Sequence, residues 1–154
     1  MAPDASAAAA APQHPDVIAC IDGGARGNPG PAAAGVVIKD AATRKVLYKA
    51  GIFIGHATNN IAEYQGLLNA FKTAAKLGAQ KVLVLSDSEL MVRQMTGRYR
   101  VKNAGLRPLF EQAGELAEQF KHVEYRHVRR EQNTEADDLV NRALDIKKNV
   151  GDAV

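Results

Sequence analysis

The sequence predicts an α/β fold, in which helices pack against a mixed β-sheet. Two apolar runs, VIACID (17–22) and KVLVLSD (81–87), have the length and composition of strands buried on both faces, and each ends on a carboxylate. Three strand-like segments come first in the chain, and helical and strand-like segments follow them. The resulting order, β-β-β-α-β-α-α-β-α, is typical of a mixed sheet with helices on it.

The first half of the chain holds three predicted strands and one long helix. The strand VIACID is followed by a Gly- and Pro-rich loop, 23–33, and then by strands at 34–40 and 46–55. These three strands are close enough in sequence to form an antiparallel meander. The segment 58–78 has apolar residues at helical spacing and ends on a glycine, which predicts a helix with a glycine C-cap.

The second half of the chain alternates between strands and helices. After the strand KVLVLSD, we predict a short helix at 88–97 and an amphipathic helix at 106–120, with a basic connector between them. VEYRHV (123–128) predicts the last strand, and 133–148 the last helix.

Composition indicates one globular domain at 16–148 and two short tails. Residues 1–15 contain Ala and Pro but no Leu, Ile, Val or Phe, so we expect a disordered tail there, and a short C-terminal tail at 149–154. The chain has 154 residues, of which 46% are hydrophobic and 24% charged, enough to form a core.

Charge and cysteine content narrow the functional classes. The chain has 20 Lys and Arg against 17 Asp and Glu, a net charge of +3 that permits a polyanionic partner without requiring one. The single Cys20 excludes an intrachain disulfide and suits a reducing compartment, so we expect a cytoplasmic protein. No apolar stretch reaches the roughly 18–20 residues of a membrane span.

Four carboxylates occupy positions where strands end or helices begin. Asp22 and Asp87 end two predicted strands, and Glu63 and Asp137 lie in the first turns of two predicted helices. Each has a simple structural explanation: Asp22 could make a turn, Asp87 could cap a helix, and Glu63 and Asp137 fit capping patterns. If the two strands are parallel neighbours, however, their carboxylates emerge at one edge of the sheet, where α/β proteins hold their sites.

The loop after Asp22 contains more glycine than a turn requires. The stretch GGARGNPGP removes side chains from a length of backbone, which lets a bulky ligand approach the main chain. It is not a nucleotide P-loop, because no Gly-Lys-Ser/Thr follows and the next element is a predicted strand. We therefore interpret the loop as part of a binding site.

Other catalytic chemistries lack their motifs. The sequence has no Cys or His cluster with zinc spacing, no Gly-x-Ser-x-Gly elbow and no G-x-G-x-x-G. Carboxylates with amides and hydroxyls nearby are the ligand set of hard cations such as Mg²⁺ or Mn²⁺.

Four motifs in this order resemble the type 1 ribonuclease H family, and the resemblance extends from about residue 17 to about residue 145. The motifs are DGGARGNPGPAAAG (22–35), TNNIAEYQGL (58–67), VLSDSELM (84–91) and NTEADDLVNRA (133–143). In these motifs Asp22, Glu63, Asp87 and Asp137 stand at the family's catalytic and metal-binding positions. Any one motif is weak or moderate evidence, but all four in the right order are very specific.

The resemblance implies a ribonuclease H-like catalytic domain with a five-stranded sheet, three antiparallel strands and then parallel ones. It implies endonucleolytic hydrolysis of the RNA strand of RNA–DNA hybrids by two Mg²⁺ or Mn²⁺ ions, leaving 5′-phosphate and 3′-hydroxyl ends. Asp22 then bridges both ions, Glu63 and Asp87 help to hold one, and Asp137 holds the other. We expect the protein to act as a monomer, with no obligate protein partner.

The same resemblance assigns candidate residues for binding the hybrid. They are Asn28, Thr58, Asn59, Asn60 and Ser88, because amides, hydroxyls and backbone carbonyls can bind the 2′-hydroxyls that mark RNA. Thr58 and Asn60 match family positions that bind a phosphate of the DNA strand. Helix capping is the alternative explanation for these side chains.

The segment before the last helix departs from the family pattern. Many members carry a product-release histidine on a mobile loop there, whereas this chain has the short sequence EYRHVRREQNTE (124–135). An ungapped alignment places His127 at that position; an alignment on the strand keeps His127 in the strand and puts Arg129 or Arg130 in the loop, and we favour the second. Arginine can bind phosphate but cannot shuttle protons near neutral pH.

Alternative functions remain open at this point. The chain could be a nuclease of the same fold that acts also or instead on double-stranded RNA, or a catalytically inactive module that binds hybrids. It could also be an α/β domain with capped helices and no site. The basic protrusion of some family members is reduced here to GRYRVKN (97–103), which suggests weak, salt-dependent hybrid binding.

Overall fold

A computed structural model describes residues 14–154 of the chain, so most of the predicted N-terminal tail lies outside the described residues. The strands are β1 (Val17–Ala25), β2 (Gly30–Asp40), β3 (Val46–Ala57), β4 (Lys81–Ser86), β5 (His122–His127) and β6 (Val150–Gly151). The helices are α1 (Asn59–Lys76), α2 (Glu89–Met95), α3 (Arg107–Ala117) and α4 (Thr134–Ile146), and a 3₁₀ turn at Arg130–Gln132 precedes α4. No helix within this part of the chain is long and apolar enough to cross a membrane.

The strands form one mixed sheet in the order β5-β4-β1-β2-β3-β6. β1, β2 and β3 pair as an antiparallel meander, and β4 and β5 add to β1 in parallel. The predicted α/β class and the antiparallel-then-parallel arrangement are confirmed.

The sheet has six strands and not the predicted five. Val150–Gly151, expected in a C-terminal tail, pairs with β3 at Ala50 and Gly51. Side chains hold the strand at both ends: Asp152 accepts a hydrogen bond from Lys49 N at 2.9 Å, and Asn149 accepts one from Phe53 N at 2.8 Å. A two-residue strand carries too little hydrophobic pattern to be read from the sequence.

Alternating side chains along β1 and β2 pack on opposite faces of the sheet. Ile21 and Ile38 belong to the larger core, which α1, α2 and α3 cover and which contains the Phe71–Phe120 ring contact. Ala33 and Val37 point to the other face, where α4 packs with Leu139, Val140, Ala143 and Leu144. Two helices therefore reach the centre of the sheet from its two sides.

The predicted loop at 23–33 is mostly strand. β1 continues to Ala25 and β2 starts at Gly30, so the connection is a tight hairpin closed by a hydrogen bond from Arg26 N to Pro31 O of 2.8 Å. Small residues predict flexibility, but here pairing between β1 and β2 satisfies the backbone. The hairpin tip lies just beyond the end of β1 that carries Asp22.

Candidate active site

Asp22 and Asp87 lie side by side because β1 and β4 are parallel neighbours. Ile21 pairs with Ser86 where the parallel pairing of β1 and β4 ends, and each carboxylate is the next residue along its chain. The prediction that Asp22 ends its strand is wrong, because β1 continues beside β2 to Ala25. Asp22 is 8% exposed and the Asp87 side chain 12% exposed. The sheet edge predicted from the two apolar runs thus holds both acids, as parallel strands dictate.

Helix α1 brings Glu63 to this edge from one face of the sheet. The approach depends on Gly23, because a Cβ at this position would lie 2.3 Å from the backbone nitrogen of Glu63. Thr58 caps the helix by accepting a hydrogen bond from Ile61 N at 3.2 Å. Since Thr58 is the cap, the capping pair Asn60–Glu63 does not form and the capping explanation for Glu63 does not hold.

Helix α4 brings Asp137 to the same edge from the opposite face. Asn133, which precedes the helix, is 3% exposed and donates its side-chain Nδ2–H to the carbonyl oxygen of Ile21 at 2.8 Å. The carbonyl of Asn133 in turn accepts from Asp137 N at 3.1 Å. Gly35 permits this approach, because a Cβ there would lie 2.1 Å from the Ala136 carbonyl oxygen. One buried side chain therefore links the strand of Asp22 to the helix of Asp137.

The four carboxylates converge on one point. Oxygen atoms of Asp22, Glu63 and Asp87 all lie within 4.8 Å of one another. The Asp137 carboxylate lies close enough to Asp22 for its negative charge to raise the pKa of Asp22. All four line one pocket of about 720 Å³.

The electrostatics of this cluster are those of crowded acids. Burial, followed by the negative charges of Asp87 and Asp137, raises the pKa of Asp22 from its usual 3.8 to about 8. Burial raises the pKa of Glu63 from 4.5 to about 7; the charge of Asp87 adds to this rise and a hydrogen bond with Ser88 opposes it. Positive charge placed between these groups would favour their ionised forms.

The donor set fits a hard divalent cation. Closely grouped carboxylate oxygens are the ligands that Mg²⁺ and Mn²⁺ accept, and no histidine or cysteine takes part. Among the described residues, the cluster forms one ion pair, a 3.7 Å contact between Arg130 Nε and Asp87 Oδ2, and that arginine side chain is 86% exposed. Such an exposed cation offsets little of the repulsion among the buried acids.

Sequence and structure comparisons identify the family of this fold and site. The profile of a family described as reverse transcriptase-like matches residues 20–143. Ribonuclease HI of Halobacterium salinarum is 40% identical over 129 residues, which cover 84% of this chain and 64% of that protein. The crystal structure of RNase H1 from the same archaeon matches with a TM-score of 0.81 and 40% identity, covering 84% of this chain and 98% of that chain. The chain belongs to the type 1 ribonuclease H family.

A longer relative matches this chain in its N-terminal RNase H domain. The bifunctional protein Rv2228c of Mycobacterium tuberculosis is 50% identical over 124 residues, covering 80% of this chain and 34% of that protein. Its N-terminal RNase H domain, solved as a fusion with maltose-binding protein, matches with a TM-score of 0.82 and 48% identity, covering 84% of this chain and 94% of that chain. This chain therefore spans about a third of the length of that curated relative.

A relative isolated from compost has been crystallised with an RNA/DNA hybrid. LC11-RNase H1 in complex with an RNA/DNA hybrid matches with a TM-score of 0.81 and 40% identity, covering 85% of this chain and 98% of that chain.

The structure separates the predicted substrate-binding residues of this ribonuclease H family member into two groups. Asn59, Asn60, Arg129 and Arg130 line the carboxylate pocket, whereas Asn28, Thr58 and Ser88 are not among its lining residues. Arg129 and Arg130 belong to the turn between β5 and α4, and His127 is the last residue of β5 and also lines the pocket.

The second group of residues has structural hydrogen bonds. Ser88 accepts from Met91 N at 3.2 Å at the start of α2, and its side chain also bonds Glu63. Asn28 accepts from Asn59 N at 3.1 Å. Asn59, although it lines the pocket, accepts from Ala25 N at 2.7 Å. These asparagines fasten the β1–β2 hairpin to the start of α1, so part of the polar signal in the sequence reflects assembly of the site.

Sequence reasoning missed three residues that shape the site. Asn133 appears there only as the first residue of the fourth motif, Gly35 only within a motif and a predicted strand, and Arg26 only within the predicted loop at 23–33. The glycine within a buried strand was the available signal for a close backbone approach. Nothing in the sequence indicated the partner of Asn133, which is 112 residues away.

Proposed function

We propose that this protein hydrolyses the RNA strand of RNA–DNA hybrids at the carboxylate pocket, as an endonuclease that uses two divalent metal ions. The observation that carries the proposal is the convergence of Asp22, Glu63 and Asp87 within 4.8 Å where the parallel pairing of β1 and β4 ends, with Asp137 on the wall of the same pocket. Relatives that are at least 40% identical bear the name ribonuclease H, and one was crystallised with a hybrid.

The four acids supply the metal ligands. Asp22, whose pKa is raised by the charges of both Asp87 and Asp137, would contribute to both ions. Glu63 and Asp87 would help to hold one ion, and Asp137 the other. Bound Mg²⁺ ions at such a site lower the pKa of an attacking water and neutralise charge on the leaving 3′-oxygen.

The chain itself positions these ligands before the substrate arrives. Gly23 and Gly35 let two helix backbones contact the sheet, Ser88 bonds the Glu63 carboxylate, and Asn133 links α4 to β1. Metal ligands that are fixed in this way need little rearrangement during the reaction. Electrostatic stabilisation of the transition state of phosphoryl transfer depends on such preorganised groups.

Polar side chains around the acids would select the RNA strand. Asn59 and Asn60 lie on the pocket wall next to Glu63, where amide groups can bond 2′-hydroxyls. Arg129 and Arg130 lie on the β5 side and offer fixed positive charge to a phosphate near the cleaved bond. Asn28, Thr58 and Ser88 support this surface through the hydrogen bonds described above, and Asn28 and Thr58 can still offer donors to the substrate.

The test is cleavage of matched RNA–DNA hybrid, double-stranded RNA and single-stranded RNA, each under Mg²⁺ and Mn²⁺ separately, with Asp22→Asn as the inactive control. We expect internal cleavage of the RNA strand of the hybrid only, with products whose 3′-hydroxyl a polymerase extends. Equal cleavage of double-stranded RNA would redirect the proposal to a broader nuclease. Hybrid binding without cleavage would indicate a binding module.

Three further expectations accompany this proposal. We infer a cytoplasmic monomer, because Cys20 is a lone thiol and the proposed site is complete within one chain. We also infer that residues 1–15 are dispensable, since they lack large apolar side chains to bury. Size-exclusion chromatography with light scattering, and cleavage by a truncated chain, check these points.

A further inference from the structure

The carboxylate pocket continues past the four acids along helix α4. Its wall there is formed by the β1–β2 hairpin on one side, including Arg26, and by Asn141 and Leu144 of α4 on the other. None of these three side chains belongs to the proposed metal site.

Arg26 is held over this extension by α4. Its Nη2 donates to Asp145 Oδ1 at 2.7 Å and lies 3.5 Å from the Asn141 carbonyl oxygen. Within the described residues its side-chain hydrogen bonds use Nη2 alone, while a guanidinium has five N–H donors. The remaining donors are available to an anion in the pocket.

The ion pair between Arg26 and Asp145 contributes too little to folding stability to be explained by it. The side chains of Arg26 and Asp145 are 50% and 63% exposed, and exposed pairs contribute little to folding. The pair does fix the direction of a long, flexible side chain. An arginine whose fork is oriented in advance loses less conformational freedom when it binds a phosphate.

The positions of Arg130 and Arg26 in the pocket can be compared along the axis of helix α4. Arg130 precedes its first turn, Asp137 lies in that turn, and Arg26 contacts Asp145 near its last turn. Eight residues separate Asp137 from Asp145, or about 12 Å of helix. The two arginines therefore stand on opposite sides of the acids, as supports for a polyanionic strand that crosses them would.

We propose that Arg26 binds a backbone phosphate of the cleaved RNA strand, on the side of the carboxylates opposite Arg130. The inference rests on the proposed function, because it assumes that a hybrid occupies the pocket. The distance of about 12 Å corresponds to roughly two to four linkages from the cleaved one. Asp145 is a positioning residue that orients the guanidinium.

Steady-state cleavage by Arg26→Ala provides the first test, with Arg142→Ala as the matched control. Arg142 is an exposed arginine on the same helix that does not line the pocket, so its removal changes net charge equally. We expect Arg26→Ala to raise KM for the hybrid about 3- to 10-fold with kcat within about twofold. The slope of log(kcat/KM) against log[salt], at one Mg²⁺ concentration, should become less negative by about 0.7–0.9.

A substrate–protein double-mutant cycle locates the contact. Hybrids would carry one neutral methylphosphonate linkage at successive positions of the RNA strand, each next to a 2′-O-methyl nucleotide, with the ordinary phosphate as control. At the contacted linkage, neutralisation should raise KM for the wild type but not for Arg26→Ala. At other linkages both proteins should respond alike.

The outcomes separate the two proposals. If the wild type cleaves no hybrid, the proposed function fails and the cycle cannot run. If the wild type cleaves and Arg26→Ala matches Arg142→Ala in KM and salt slope, the phosphate contact is wrong while the function stands. A contact that maps to the DNA strand, tested with the same neutral linkage there, would also overturn the inference. Equal melting temperatures of the two variants exclude a folding defect.

Discussion

Helices α1 and α4 perform the same task from opposite faces of the sheet and are anchored differently. Each carries an acid near its start, Glu63 or Asp137, to the side of Asp22. Helix α1 is held by backbone contact at Gly23 and at Gly66, whose added Cβ would lie 3.4 Å from the Asp22 carbonyl oxygen, and by the side chain of its first residue, Asn59, which accepts a hydrogen bond from Ala25 N at 2.7 Å. Helix α4 is seated by backbone contact at Gly35 and also by the Asn133 side chain.

The difference shows how a buried charge is held in place. Glu63 is 9% exposed and gains a hydrogen bond from Ser88, so its position is fixed by packing and by a neighbour on another helix. Asp137 is less buried than Glu63. Its position depends on the Asn133 side-chain amide, whose hydrogen bond to the Ile21 carbonyl fixes where α4 lies along β1. Glycines make the approach possible on both faces, and an asparagine side chain fastens each helix to β1: Asn133 at the start of α4 bonds the residue before Asp22, and Asn59 of α1 bonds Ala25, three residues after it.

The largest expected effect comes from changing Asp22, beside which both helices place an acid. Asp22→Asn removes the charge at nearly constant shape, so cleavage of hybrids should fall by about 10³-fold or more, because the charge that holds the metal ions is lost. Without metal, the variant should be at least as stable as the wild type at pH 8, since repulsion with Asp87 and Asp137 is relieved. Turnover assays and thermal unfolding in EDTA check both. Near-normal turnover, or a clear fall in metal-free melting temperature, would contradict the converging cluster.

The next effect compares the two glycine contacts. Gly23→Ala and Gly35→Ala place a Cβ 2.3 Å and 2.1 Å from helix backbone atoms, so each should lower the free energy of unfolding by about 1–3 kcal/mol and reduce turnover. Gly114→Ala in α3 is the control, because its Cβ would meet nothing within 4 Å; it should be neutral or stabilise by about 0.5–1 kcal/mol. Chemical denaturation measures all three. Equal stability for Gly35→Ala and Gly114→Ala would disprove the contact with α4.

Most of the fold could be predicted because its signals are local. The runs VIACID and KVLVLSD are buried strands, their terminal acids meet at one edge, and the helical spacing at 58–78 corresponds to α1 at Asn59–Lys76. These features follow from period, length and the parallel arrangement of the strands. The four motifs added the identity of the acids, and the structure brings all four together.

The remaining features depend on contacts between distant segments. The glycines of the 23–33 stretch were interpreted as clearance for a ligand, yet Gly23 makes room for the backbone of α1, and Gly30 for the carbonyl of Arg26. Both uses require a missing side chain, so composition cannot separate them. The same limit applies to Asn133, whose partner Ile21 is known only once the sheet is assembled.

A smaller effect tests the side-chain anchor of α4. Asn133→Ala removes the buried hydrogen bond to the Ile21 carbonyl and should cost about 1–3 kcal/mol of stability. Because Asp137 would shift, kcat should fall and the Mg²⁺ concentration for half-maximal activity should rise, with KM for the hybrid little changed. Asn69→Ala on α1 is the control: among the described residues its side chain makes no hydrogen bond to the sheet, and its buried Oδ1 has no partner. If both variants behaved alike, the anchoring role of Asn133 would be wrong.

The last expected effect is the pH dependence that distinguishes Glu63 from Asp137 in metal-free protein. The folded-state pKa of Asp22 is about 8 against 3.8, and that of Glu63 about 7 against 4.5. The folded state therefore binds more protons than the unfolded state between these values, and stability should fall as pH rises from about 4 to 8. Glu63→Gln should flatten the part of this decline between about pH 4.5 and 7. Asp137→Asn should flatten the decline less, because this change acts only by removing a negative charge that raises the pKa of Asp22. Melting temperatures in EDTA across pH 4–9 measure the slopes, with the other titrating groups common to all three proteins. A Glu63→Gln slope equal to that of the wild type would show that Glu63 ionises freely and is not held in a desolvated position.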